Sequence, residues 1–116
     1  MSVDLEDKSI CLLGSATVNL QNGDSKSTAY TVPTSKKAIV THVIIRSPTA
    51  SLADGTDFDI GDGASCTTWK QANNLSTMTA TTDYMVIEGN NAKYTIFDAG
   101  DAFGIIPVTG ATADAD

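Results

Sequence analysis

Four closely spaced aspartates are the first candidates for a ligand-binding site in this sequence. They are Asp54, Asp57, Asp59 and Asp62. Carboxylate oxygens are good Ca²⁺ ligands, so the four side chains form a weak candidate calcium site, although their spacing departs from that of the EF-hand loop. The structural alternative is a strand in which Phe58 and Ile60 face the core. The middle two acids would then face solvent and the outer two would serve turns.

The remaining aspartates considered occur in pairs at predicted turns. Asp98 and Asp101 form one pair, and Asp114 and Asp116 form another. Paired carboxylates can hydrolyse glycosides, but that reaction needs a cleft with supporting groups, and the chain has one Trp and three Tyr. Aspartate also commonly caps turns. We therefore interpret both pairs as turn caps, and we predict no catalytic residue and no cofactor.

The single histidine and the single tryptophan are candidates for an interface. His42 lies within a β-branched run, residues 38–46, and no Ser-His-Asp or Cys-His motif surrounds it. We predict a packed or interface histidine, with a pH-sensitive subunit contact as the sharper alternative. Trp69 could stack on a sugar beside Asp62 or Asn73, whereas the alternative is an anchor for the core or an interface.

The apolar pattern predicts about eight short strands separated by turn residues. They are residues 9–13, 16–20, 29–32, 38–46, 56–60, 84–88, 93–97 and 102–108. The run 38–46 is nearly all apolar, which is typical of a central strand covered on both faces. Residues 69–75 fit a helical turn or a loop, and Pro107 indicates an edge position or a bulge. The expected fold is all-β, a β-sandwich of jelly-roll type.

Composition and charge exclude several classes of protein. The chain of 116 residues has 41% hydrophobic residues and a net charge of −7, and it is poor in helix-forming residues. This disfavours a helical bundle, and the negative charge repels nucleic acid and anionic lipid. We find no apolar run of membrane-spanning length and no signal-peptide pattern at the acidic start. We therefore expect no nucleic-acid partner and no membrane partner.

The domain organisation is predicted to be simple. Residues 1–13 form an N-terminal arm with a first short strand, and residues 14–116 form a single sandwich domain. In the arm, Ile10 and Leu12 are interface candidates, because an extended segment can add a strand to a partner sheet. The alternative is a loose terminus. Cys11 and Cys66 are expected to be free thiols, with a disulfide or a reactive thiol as alternatives.

Residues 28–116 resemble small β-structured proteins from the structural gene clusters of tailed phages and prophages. The resemblance begins at residues 30–46, with tyrosine-threonine-valine-proline, a turn with two lysines and a long β-branched strand ending in Arg46. It continues through residues 56–61, Trp69, residues 79–87 and residues 110–114. Similar proteins run on into a further apolar strand, whereas this chain stops at Asp116. Either the sequence ends early or an edge strand is missing, and a neighbouring subunit would then cover the exposed edge.

The resemblance implies a non-enzymatic virion component. Such a component would be a capsid decoration (cement) protein or the base of a head fibre, made in the host cytoplasm and located on the capsid exterior. Its expected partners are the major capsid protein or another virion protein, and its expected assembly is a homotrimer. The alternative function is a carbohydrate-binding or receptor-binding module, which predicts an exposed Trp69 or Tyr84.

Overall fold

The computed structural model describes residues 12–89 and 95–112, and in these ranges the chain is all-β with no helix. The eight strands are β1 (Ser27–Thr31), β2 (Ala38–Ile39), β3 (His42–Arg46), β4 (Asp57–Gly61), β5 (Lys70–Asn73), β6 (Tyr84–Glu88), β7 (Ile96–Phe97) and β8 (Ala102–Thr109). The all-β prediction and the number of strands are confirmed. The strand predicted at 84–88 matches β6, and the one at 102–108 matches β8 to within one residue.

The strands form one four-stranded sheet and two strand pairs, all antiparallel. The large sheet has the order β1-β8-β4-β5, and the two pairs are β2–β7 and β3–β6. Strand β8 is the longest and is bonded on both sides. Phe58 pairs with Pro107 and Asp57 with Thr109, so Val108 is an extra residue in β8 and forms the bulge that Pro107 predicted.

An aromatic cluster forms the centre of the core. The rings of Trp69 and Phe103 meet edge to face at 5.7 Å, and those of Phe97 and Phe103 do so at 5.3 Å. Edge-to-face packing is the arrangement that the charge distribution of aromatic rings favours. Because Phe103 lies on β8 and Phe97 on β7, the cluster ties the large sheet to one strand pair.

The prediction of one continuous central strand at 38–46 is wrong. The run is divided between β2 and β3, which belong to different sheets. The division falls at Val40, whose carbonyl accepts a 2.9 Å hydrogen bond from Trp69 Nε1. Along β3 the residues alternate between exposed and half-buried, so only one face of the strand is covered.

Two other segments differ from the prediction. Residues 16–20 form no strand, although Leu20 is buried as the alternation required. The next residue, Gln21, forms an isolated parallel β-bridge with Ala111. Residues 69–75 contain β5 rather than a helical turn. Only Leu12 and Leu13 of the predicted strand at 9–13 are among the described residues. The predicted strand at 93–97 is described from residue 95 onward, and that part contains β7.

The acids of β4 do not line a solvent face. Asp59, on β4, is buried. Its Oδ1 accepts a 3.0 Å hydrogen bond from the amide of Ala72, which has a φ of 57°. In β5 two residues stand opposite one of β4, which makes a second bulge. Asn73 Nδ2 donates to the Phe58 and Lys70 carbonyls, each at 2.9 Å, and stabilises this bulge.

Replacing Asp59 tests this contact. Asp59→Ala removes the acceptor of the part-buried hydrogen bond from the Ala72 amide, and we expect the free energy of unfolding to fall by about 1–2 kcal/mol. Asp59→Asn keeps an acceptor oxygen at Oδ1 and should lose less. Urea unfolding followed by Trp69 fluorescence measures both variants, and equal losses would contradict the role of the hydrogen bond.

Candidate functional site

The structure does not support the candidate calcium site. Within residues 12–89 and 95–112, no three acid, His or Cys side chains are grouped so that they could hold a metal ion. The four aspartates lie on separate contacts, and of the four only Asp57 and Asp59 belong to β4. Asp54 accepts from the Thr112 hydroxyl at 2.7 Å, Asp59 accepts from the Ala72 amide, Asp62 accepts from the Thr68 hydroxyl, and Asp57 Oδ1 is buried without a hydrogen-bond partner.

Two other aspartates hold turns, Asp101 as its position predicted and Asp83 without having been singled out in the sequence. Asp101 Oδ2 accepts the amide of Asp98 at 2.8 Å. Asp83 Oδ2 accepts two amides, those of Thr79 and Ala80, each at 2.9 Å. Asp98 itself forms an exposed ion pair with Lys37, and such pairs contribute little to stability. The predicted pair Asp114 and Asp116 lies outside the described residues.

Trp69 is a core residue. Only 6% of its surface is exposed, and its ring packs against Phe103. A Cβ added to Gly89 would lie 3.1–3.3 Å from the indole, so the chain after β6 also packs closely on this ring. The core-anchor interpretation is therefore confirmed. The interpretation of Trp69 as a sugar platform or interface residue is wrong, since its face is covered by its own chain.

The most unusual surface is one face of the β3–β6 pair. Three cross-strand pairs of side chains form it: His42 with Glu88, Ile44 with Val86, and Arg46 with Tyr84. We call these six residues the β3–β6 outer face. Its apolar members are strongly exposed, with Ile44 at 61%, Tyr84 at 71% and Val86 at 49%. The residues between them, Val43, Ile45, Met85 and Ile87, pack toward the core.

Charged groups flank the apolar centre of the outer face. At one end His42 Nε2 lies 3.4 Å from Glu88 Oε1, and at the other end Arg46 stands opposite Tyr84. His42 is exposed, so the packed-histidine interpretation is wrong and the interface interpretation stays a prediction. An apolar centre with a polar rim is the arrangement found in protein–protein interfaces.

A groove adjoins this face along β6. It has a volume of about 230 Å³ and lies between β5 and β6. Its lining residues are Lys70, Ala72, Asn73 and Asn74 on one side and Met85, Val86, Ile87 and Glu88 on the other. We call it the β5–β6 groove. Ala72 brings backbone strain to its wall, because a left-handed φ is unfavourable for a residue with a Cβ.

Sequence reasoning missed Ile44, Val86 and the groove. The apolar run 38–46 predicts that Ile44 lies in a strand buried on both faces. The polar residues His42 and Arg46, two positions on either side of it, were the available signal that this face is exposed. The groove depends on how β5 and β6 approach each other, and neither strand encodes that approach locally.

The candidates in the N-terminal arm are only partly within the described chain. Ile10 and Cys11 lie outside the described residues. Leu12 is 83% exposed, and Leu13 packs partly against the core. The exposure of Leu12 agrees with an interface role, which stays a prediction.

Cys66 is a buried free thiol at a position with a φ of 51°. Burial raises the pKa of this thiol above the ordinary value of 9.0, and nearby Lys26 opposes the rise. A raised pKa means less thiolate at neutral pH, so the environment argues against a reactive thiol. Lys26 itself donates to the carbonyls of Gly63 and Ala102, at 2.9 and 2.6 Å.

Comparison with known proteins identifies no relative. The chain matches no protein-family model, no curated protein and no solved structure. The described residues also contain no apolar helix of membrane-spanning length.

Thiol labelling tests the environment of Cys66. In a Cys11→Ser variant Cys66 is the remaining cysteine, and we expect it to react with a thiol reagent at pH 8 at least about tenfold more slowly when folded than in urea. Since the pKa is raised in the folded state, the stability from keeping the thiol protonated is complete below pH 9 and is lost as the pH rises further. Equal labelling rates in the folded and unfolded protein would contradict this account.

Proposed function

We propose that the chain is a non-enzymatic structural protein of a tailed-phage or prophage virion, and specifically a capsid decoration or cement protein. The observation that carries the proposal is the β3–β6 outer face, with three large apolar side chains exposed on one strand pair. The resemblance of residues 28–116 to virion proteins supplies the class of partner, the major capsid protein or another shell protein.

The outer face has the physical properties of a docking surface. Isolated exposed apolar residues are common, whereas adjoining ones on a rigid face indicate a binding site. The face is rigid because the inner residues of the same strands, such as Val43 and Ile87, are fixed against the core. Little conformational entropy is then lost when a partner covers Ile44, Val86 and Tyr84.

Charge supports a position on the outside of a nucleic-acid container. The net charge of −7 repels phosphate, which favours the capsid exterior over contact with the genome. The outer face itself carries Arg46 and His42 beside one acid, Glu88, so it is less acidic than the chain as a whole. Assembly as a homotrimer would let several such weak contacts act together on the shell.

Carbohydrate binding is the second candidate, and exposed Tyr84 is the observation that favours it. An aromatic ring at 71% exposure can stack on a sugar. The burial of Trp69 removes the other aromatic platform, so this function would depend on Tyr84 with Arg46 beside it.

A charge placed in the centre of the outer face tests the docking role. We expect Ile44→Lys to weaken binding to particles of the encoding phage or prophage by about tenfold or more, because a central apolar contact is replaced by a charge that must lose its water. Val108→Lys is the matched control, since Val108 is an exposed apolar residue on a different sheet. Co-sedimentation with particles measures both variants.

The same assay separates the two candidate functions. Equal binding by the two variants would exclude the outer face as the docking surface. A wild-type chain that does not bind particles, but binds glycans in a manner abolished by Tyr84→Ala, would replace the virion proposal with carbohydrate binding.

A further inference from the structure

The β5–β6 groove runs along an edge of β6 rather than over one of its faces. Side chains of a strand point alternately to opposite faces, yet four consecutive residues, Met85 to Glu88, line the groove. Only the edge of the strand brings consecutive residues to one surface. Strand β6 pairs with β3 alone among the described strands, so the groove lies on its other edge.

The register shows which backbone groups of β6 point into the groove. The amide of Ser47 donates to the carbonyl of Asp83 at 3.0 Å, just beyond the pair Arg46–Tyr84. Hydrogen-bonded and non-hydrogen-bonded pairs alternate along an antiparallel ladder. Residues 84, 86 and 88 are therefore in non-hydrogen-bonded pairs, and their N–H and C=O groups point away from β3. Residues 85 and 87 bond to β3.

Strand β5, across the groove, is also the end of its sheet. It bulges next to the groove at Ala72, whose amide is turned to Asp59. Bulges of this kind protect a sheet edge from uncontrolled pairing. The groove thus has one regular strand edge, on β6, and one irregular wall, on β5.

We infer that the groove binds an added β-strand, and that this strand is the segment 9–13 of a second copy of the chain. The segment is Ser-Ile-Cys-Leu-Leu, an apolar run with the composition of a strand. Five residues in a strand span about 17 Å, which matches the five residues of β6. Leu12, at the start of the described chain, is 83% exposed, so most of its surface is free to contact a partner.

The position of the arm favours a second copy over its own groove. A Cβ on Gly14 would lie 2.8 Å from the Ala29 carbonyl, so the arm leaves the body beside β1. Strands β1 and β5 are opposite ends of the four-stranded sheet. Donor and acceptor surfaces on opposite edges make a head-to-tail contact, and such contacts form a ring, such as a trimer, when the rotation between copies closes. The inference concerns contacts between copies, so it does not depend on the proposed capsid role.

A proline in the edge of β6 tests strand addition in the full chain. Val86→Pro removes an N–H that points into the groove and leaves the bonds to β3 in place. We expect wild-type protein to sediment as an oligomer and Val86→Pro to weaken that assembly by about tenfold or more. Val86→Thr keeps the N–H and the branched side chain, and should assemble as wild type does.

Charge in the arm tests the occupant. Leu12→Asp places a carboxylate in the apolar segment and should dissociate the oligomer, whereas Ser2→Asp adds the same charge outside the segment and should not. An oligomer that persists in both Val86→Pro and Leu12→Asp would overturn the inference.

Hydrogen exchange gives a readout with its own internal control. We expect the amides of Val86 and Glu88 to be protected in the oligomer and to exchange rapidly on dilution or in Leu12→Asp. The amides of Met85 and Ile87 should stay protected throughout, because they bond to β3. Rapid exchange at Val86 and Glu88 at every concentration would overturn strand addition. Protection in a monomer would show that the chain's own arm fills the groove, which also overturns the exchange between copies.

These results are distinguishable from a failure of the capsid proposal. Ile44→Lys is expected to change particle binding without changing the mass in solution, whereas Val86→Pro is expected to change the mass in solution first.

Discussion

The indole of Trp69 holds the sheets together. Its ring packs on Phe103 of the large sheet, its Nε1 bonds to the Val40 carbonyl between β2 and β3, and Gly89 after β6 packs closely on the indole. A buried indole N–H needs an acceptor. Here the acceptor is the carbonyl of Val40, which lies where the chain passes from β2 to β3 and so from one strand pair to the other. The exposed outer face and the adjoining groove both exist because β3 and β6 are placed as a separate pair beside the large sheet.

Several of the aspartates in this acidic chain accept hydrogen bonds from backbone amides. Asp101 and Asp83 accept the amides of their own turns, and Asp59 holds the bulge of β5. These aspartates therefore shape the backbone, while the strands present apolar side chains. The large excess of aspartate over glutamate fits this use, because a short side chain reaches a nearby amide within a turn.

Local patterns were sufficient to predict some elements and insufficient for others. The strand at 84–88 could be found because a run of strand-forming residues is followed by turn residues, and the bulge at Pro107 because proline lacks an N–H. The run 38–46 was misassigned because periodicity does not show that one carbonyl turns toward a tryptophan far along the chain. Alternation predicts a solvent position for Asp59 because it does not show the tertiary contact with the amide of Ala72 on β5. The outer face could not be predicted for the same reason, because a local pattern does not show that no other element of the described chain packs over Ile44.

The separation of β3–β6 from the large sheet also has a mechanical consequence. Strand β8 is bonded to β1 and β4 on its two sides, so a force along β8 must break both ladders together. The β3–β6 pair is held to the rest by side-chain packing and the Trp69–Val40 hydrogen bond. A load applied through the outer face would therefore strain this junction before it disturbs the large sheet, so the junction yields first while the strand pair and the large sheet each keep their shape.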